Sequence, residues 1–360
     1  MESRFLPGRK TGAGQSDGRS PAAFVALVLL LATLFPPPSS AKTGNHGRWR
    51  TVATIPLPGT PTRFDYESLD SRSGRLYIAH LGEGRLVVFD TNRRTVLADL
   101  PGFPHAHGVL AVPRLHRVYV TVSPLTRTPG RLAVVDTRTL KTQSLVSTGI
   151  HPDGLDYDPE NRRLFVSDEW GQTVSVIDTR TDRPAGVIPL GGEVGNTRYD
   201  PISKRIFSTV QTKNLLAEID PGTLRLVRRY SLPGGAHPHG LWIDGPRRLV
   251  FIACEQNAVL LVFDLETRKV TGRFPVGRRP DVLAFDPLRR RLFVASESGT
   301  VAVFREQGHT LVKEGQSFLG HRAHVILFDP RTRLLYLPLE NQDGHPVLKI
   351  LRYETIENRP

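Results

Sequence analysis

Short apolar runs recur along the chain with polar turns between them. The clearest is a four-residue run, headed in most copies by arginine. Its copies are Arg75-Leu76-Tyr77-Ile78, Arg117-Val118-Tyr119-Val120, Arg163-Leu164-Phe165-Val166, Arg205-Ile206-Phe207-Ser208, Leu249-Val250-Phe251-Ile252, Arg291-Leu292-Phe293-Val294 and Leu334-Leu335-Tyr336-Leu337. Successive copies stand 42 to 46 residues apart, and the longest interval holds an extra loop at 124–130. A turn precedes many of them, as at Asp158-Pro159, Asp200-Pro201, Asp286-Pro287 and Asp329-Pro330. Proline fixes φ and aspartate bonds its own backbone, so these are reverse turns between strands. A second apolar run follows and often ends in aspartate: Val87-Val88-Phe89-Asp90, Val134-Val135-Asp136, Val176-Ile177-Asp178, Val262-Phe263-Asp264. A third run, such as 185–190, leads through a glycine-rich turn to a short strand such as Gly154-Leu155-Asp156-Tyr157. No stretch sustains helical periodicity.

Four short strands, repeated seven times, predict an all-β fold: a seven-bladed β-propeller of four-stranded blades. The last repeat supplies strands near 323–328, 333–337 and 346–352 and is one strand short. The spare strand is 49–57 at the other end of the chain. Pairing it with 346–352 closes the ring and removes two exposed edges. Residues 49–353 are therefore expected to form one propeller domain, with 42–48 a short linker and 354–360 a tail.

The leading 41 residues read differently. Arg4, Arg9, Lys10 and Arg19 precede an almost wholly apolar run from Ala23 to Phe35, then Pro36-Pro37-Pro38 and the small residues Ser39-Ser40-Ala41. That order is expected of a secretory signal peptide, placing the protein in the periplasm or outside the cell. The same segment, retained, would be an N-terminal anchor. Composition narrows the chemistry. A single cysteine, Cys254, excludes an internal disulfide, a cysteine-rich zinc site, an iron–sulfur cluster and CxxCH haem attachment. No P-loop, GxSxG, HExxH or dinucleotide-binding glycine pattern is present.

The segment Arg163-Leu164-Phe165-Val166-Ser167-Asp168, then Thr173-Val174-Ser175-Val176-Ile177-Asp178-Thr179, and the Gly277-x-x-Pro280-Asp281 motif resemble the YVTN-repeat (YncE-like) seven-bladed propellers. The resemblance covers about 49–353. It implies the same fold, and its members are often exported bacterial proteins, some linked to nucleic-acid binding. Gluconolactonase-like and streptogramin-lyase propellers resemble it more distantly and use a metal at the channel mouth. Asp153 and Asn196 match ligand types of the former, whereas their first-blade Glu meets Thr62-Arg63-Phe64 here.

In a propeller the first strand starts at the face where the second ends. The first-strand starts give a ring of Thr62, His107, Asp153, Asn196, His239, Asp281 and His324, with His105 and His237 as a second tier. The second-strand ends give Leu81, Ser123, Glu169, Gln211, Glu255, Glu297 and Glu340. Imidazole nitrogen with carboxylate oxygen suits one divalent ion, which can polarise a carbonyl or generate hydroxide. The same residues also serve ordinary turn capping, or a small organic ligand. Trp170 beside Glu169 is a candidate ligand wall, and Trp242 a core residue.

The net charge is +13. Its excess collects in turns of the opposite face, including Arg162, Arg163, Arg247, Arg248, Arg289, Arg290 and Arg291. Such a face attracts a polyanion, whether nucleic acid or an envelope component; arginine is also an ordinary turn residue in an arginine-biased chain. The expectation is an exported binding module, with no obligate oligomer implied. It would hold a metal or small ligand at a His/Asp/Glu mouth and carry an arginine-rich opposite face. The alternative is a metal-dependent, lactonase-like hydrolase or lyase acting at that mouth.

Overall fold

The computed structural model describes residues 47–355 apart from residue 125. The segment expected to be a signal peptide, and most of the expected linker and tail, lie outside the described residues. Seven four-stranded antiparallel sheets follow one another, six of them built from consecutive strands. Blade 1 starts with Glu67–Asp70, blade 2 with Ala106–Val112, blade 3 with Pro152–Asp158 and blade 4 with Val194–Asp200. Blade 5 starts with Pro238–Asp244, blade 6 with Pro280–Asp286 and blade 7 with Leu327–Asp329.

Blade 7 is the composite one. Its strands Leu327–Asp329, Leu334–Gln342 and His345–Thr355 are completed by Gly47–Pro56 from the other end of the described chain. Gly47 faces Thr355 and Pro56 faces Val347, with one bulge between Thr51 and Ala53. The ring therefore closes by the strand exchange that the repeat count requires, two residues earlier than expected at the start.

The aspartates at the strand ends do the turn work expected of them. Asp70, Asp158, Asp286 and Asp329 each accept the backbone N–H two residues on, at 2.9–3.0 Å. Asp90, Asp136, Asp178, Asp220 and Asp264 do the same after the third strands, at 2.8–2.9 Å. Buried apolar side chains form seven clusters, one in each gap between neighbouring blades. Burial between faces of twisted sheets is the main source of stability here. Cys254 is buried in the cluster between blades 4 and 5, where burial pushes its thiol up to about 12.

A second repeated device ties blades together on the face where the second strands begin, the lower face. Arg75 donates to Thr137 O, Arg117 to Thr179 O (2.7 Å) and Arg163 to Pro221 O (2.6 Å). Each bond runs from the head of a second strand to the carbonyl following the third strand of the next blade.

Candidate functional site

Strand register fixes which residues share a level in the channel. Counting back five residues from the residue that ends each first strand gives Asp65, His107, Asp153, Gly195, His239, Asp281 and His324. Five of the seven expected positions hold, and two are corrected. Thr62 lies three residues too early: it belongs to the connection into blade 1, where its Oγ1 meets His80 Nε2 at 3.0 Å. Asn196 lies one too late. Val194 pairs with Val210 as Pro152 pairs with Asp168, so Gly195 takes the ring position. The ring thus alternates acid and imidazole around the channel, with one gap at blade 4.

The ring is tightly connected. His107 Nδ1 is 2.7 Å from Asp65 Oδ2. His239 Nε2 is 3.6 Å from Asp153 and 3.5 Å from Asp281, reaching Asp153 across the gap. His324 Nε2 is 3.9 Å from Asp65 Oδ1. Two sets bring three ligand atoms within 4.8 Å of one another: Asp65, His107 and Asp153, and Asp65, Asp281 and His324.

Two further residues escaped the sequence pattern. Arg63 reaches Glu297 (2.8 Å), Asp65 (3.5 Å) and Asp281 (3.8 Å), so a guanidinium covers the second of those sets. Tyr66 stands where blades 2, 3 and 5 have Gly108, Gly154 and Gly240. A Cβ at Gly240 would meet the Asp281 carbonyl at 1.8 Å, so that level admits few side chains. The Tyr66 ring crosses the channel: its Oη accepts from Asn196 Nδ2 at 2.6 Å and meets His239 Nε2 at 3.2 Å. Asn196, out of the ring, is recruited to hold this phenol.

Above the ring lies a cavity of about 320 Å³, lined by Arg63, Asp65, Tyr66, His107, His151, Asp153, Glu169, His239, Glu255, Arg279, Asp281, Glu297 and Leu81. Glu169, Glu255 and Glu297 are on its rim as expected. Glu340 instead turns to Arg322, 3.4 Å away, and Gln211 donates to Glu169 at 2.9 Å. Trp170 stacks on His151 with centroids 3.9 Å apart, and Arg127 sits 5.1 Å from the indole. The indole is thus a brace for His151. Trp242 is half-buried and lines a different cavity, of about 310 Å³, below Tyr66.

Burial and charge divide the titratable groups. Burial pushes the Asp153 and Asp281 carboxyls up. Asp65 is held well below the carboxylate range, because the His107 hydrogen bond and Arg63 outweigh its burial. Burial lowers His239, but Glu255, Asp281, Asp153 and Glu169 overcome that and raise it to about 10. Burial and Arg63 bring His324 down to about 4. Five buried polar atoms at this level have no hydrogen-bond partner: His107 Nε2, His239 Nδ1, His324 Nε2, Asp281 Oδ1 and Asn196 Oδ1.

On the lower face most of the predicted arginines are already engaged. Arg163 binds two carbonyls of blade 4, Arg248 pairs with Asp200 at 2.6 Å, Arg290 with Asp244 and Glu306, and Arg291 with Glu314 at 2.6 Å. Arg162, Arg247 and Arg289 are exposed.

No protein-family model matches the chain, and no curated protein matches it. Among solved structures it is similar to Kuenenia stuttgartiensis hydrazine synthase, with a TM-score of 0.69 and 14% identity over 82% of this chain and 96% of that one. At that identity the likeness bears on fold alone. Among the described residues no helix is long and apolar enough to cross a membrane. The chain is a seven-bladed β-propeller with an acid–imidazole ring at one mouth of its channel.

Proposed function

We propose that the protein is an exported YVTN-type binding module that holds one divalent cation at the channel mouth. The observation that carries this is the Asp65–His107 pair. Asp65 takes the Nδ1 side of the imidazole at 2.7 Å, which leaves His107 Nε2 buried, unpartnered and close to Asp153. A carboxylate that orients a histidine while its other nitrogen faces the ligand is the usual support of a metal-binding imidazole. Arg63 supplies the positive charge over the Asp65, Asp281 and His324 set, so the ion belongs on the His107 and Asp153 side. Mixed nitrogen and oxygen donors suit zinc, manganese or nickel. The bound ion would supply Lewis-acid polarisation of an oxygen ligand. Tyr66, kept protonated by burial and by the surrounding aspartates, and His239, raised to about 10 and 3.6 Å from Asp153, are the proton donors beside that site for the hydrolase or lyase alternative. The exposed arginines of the lower face would attract a polyanion by charge.

The test is thermal unfolding of chelator-treated protein with each metal added. One equivalent of Zn²⁺, Mn²⁺ or Ni²⁺ should raise Tm by mass action. His107→Ala and Asp153→Asn should each abolish the rise while folding normally. A wild-type melt indifferent to all three ions, and to Ca²⁺, rejects the cation site.

A further inference from the structure

The blade 6–blade 7 seam lacks the arginine-to-carbonyl bond that ties blades 1 to 2, 2 to 3 and 3 to 4 on the lower face. Arg291 heads the second strand of blade 6, where Arg75, Arg117 and Arg163 reach out to the next blade. Its guanidinium turns back to Glu314 of its own blade, as Arg205 of blade 4 does to Glu218 and Asp220, and lies 5.0 Å over the Tyr353 ring. Blade 7 also lacks the hairpin turn that follows the third strand elsewhere, because its outer two strands come from opposite ends of the described chain. A cleft of about 410 Å³ remains between the two blades.

Its chemistry is one-sided. Arg289, Arg333 and Arg352 line it along with Arg291. Arg333 Nε is buried without a partner. Of the two acids present, Asp286 accepts the N–H groups of Leu288 and Arg289 at 3.0 and 3.1 Å and its charge faces Arg333 and Arg291, while Glu354 pairs with Arg50 at 3.0 Å, so the arginines outnumber the carboxylates. The walls are aromatic. Phe293 and Phe328 stack with centroids 6.3 Å apart, and Tyr353 adjoins them.

We propose that this cleft binds a small organic phosphate, with Arg289, Arg333 and Arg352 holding the phosphoryl oxygens and the half-buried Phe328 meeting the apolar part. Arginine presents forked N–H donors that match a tetrahedral oxyanion, and a cleft of this size accepts a group larger than the phosphate itself. The site shares the positive charge of the lower face, but its geometry is specific where a general polyanion surface is not.

Isothermal titration with phenyl phosphate and with inorganic phosphate, at fixed ionic strength, tests it. Phenyl phosphate should bind at least fivefold more tightly than inorganic phosphate. Arg333→Gln and Arg352→Gln should each weaken it tenfold or more. Among the described residues Arg352 makes no ion pair, so Arg352→Gln should melt as wild type does. Arg247→Gln removes an exposed charge of the same face outside the cleft and should change nothing. Equal weakening by Arg247→Gln would show nonspecific attraction and overturn the proposal, as would no binding of phenyl phosphate at millimolar concentration. Binding of duplex DNA that Arg247→Gln weakens and Arg352→Gln does not would report the polyanion face separately from the cleft.

Discussion

His324 shows how one residue can carry a pH response. Its ring is 1% exposed, and Nδ1 lies 2.7 Å from the Arg322 carbonyl. Burial and the Arg63 charge hold its folded value near 4, against about 6.5 for a free imidazole. Above pH 6.5 the ring is neutral in both folded and unfolded chains, so the group costs nothing there. Between 6.5 and 4 only the unfolded chain takes up the proton, and stability falls with pH. Denaturant melts at pH 7.5 and 4.5 should show this loss, and His324→Gln should make it smaller; an equal loss in the variant would remove His324 from the account. The ring residues on the His-Pro and Arg-Pro turns were legible because each copy repeats the same dipeptide. Asp65 was not, since the Thr60-Pro61-Thr62 segment imitates that dipeptide three residues too early. The aspartate ending each first strand is the better ruler. Arg63 stands where blades 6 and 7 have Arg279 and Arg322, a match visible only once blade 1 is counted back from Asp70; Tyr66 has no counterpart in any other repeat, and periodicity finds only what recurs.

At the level of strands, the inter-blade arginine bonds add to burial. Arg117 donates to Thr179 O and to Asp182 Oδ1, both within 2.8 Å, while its side chain is 24% exposed. Arg117→Ala should cost about 1–3 kcal/mol, typical of hydrogen bonds involving a charged group. That would appear as a Tm lower by a few degrees. Arg247→Ala, exposed on the same face, should leave Tm unchanged. If both behave alike, the bonds contribute nothing beyond surface charge. The sequence marked these arginines as a face for partners. Most of them also hold a carboxylate or carbonyl of their own or the adjoining blade, a structural task beside whatever the charge attracts. Only side-chain contacts reveal this, and strand patterning within one repeat does not contain them.

For the whole molecule, closure is the decisive event. The seam between blades 7 and 1 buries Leu57, Phe64, Leu76, Tyr336 and Leu348, and Gly47–Pro56 supplies the fourth strand beside it. Removing residues 47–56 should leave His345–Thr355 as an open edge, with aggregation or a large drop in Tm. Light scattering and melting check this, and a soluble, monomeric truncation with the wild-type melt would refute the role of the strand. The repeat arithmetic made this closure legible because a ring must have an integral number of complete blades. What occupies the middle of the ring follows no such arithmetic. A single phenol, placed where three other blades have no side chain, touches the cavities on both sides of itself. The channel is consequently two cups set base to base. A ligand in the acid–imidazole cup and one in the cup beneath would share that phenol as a common floor.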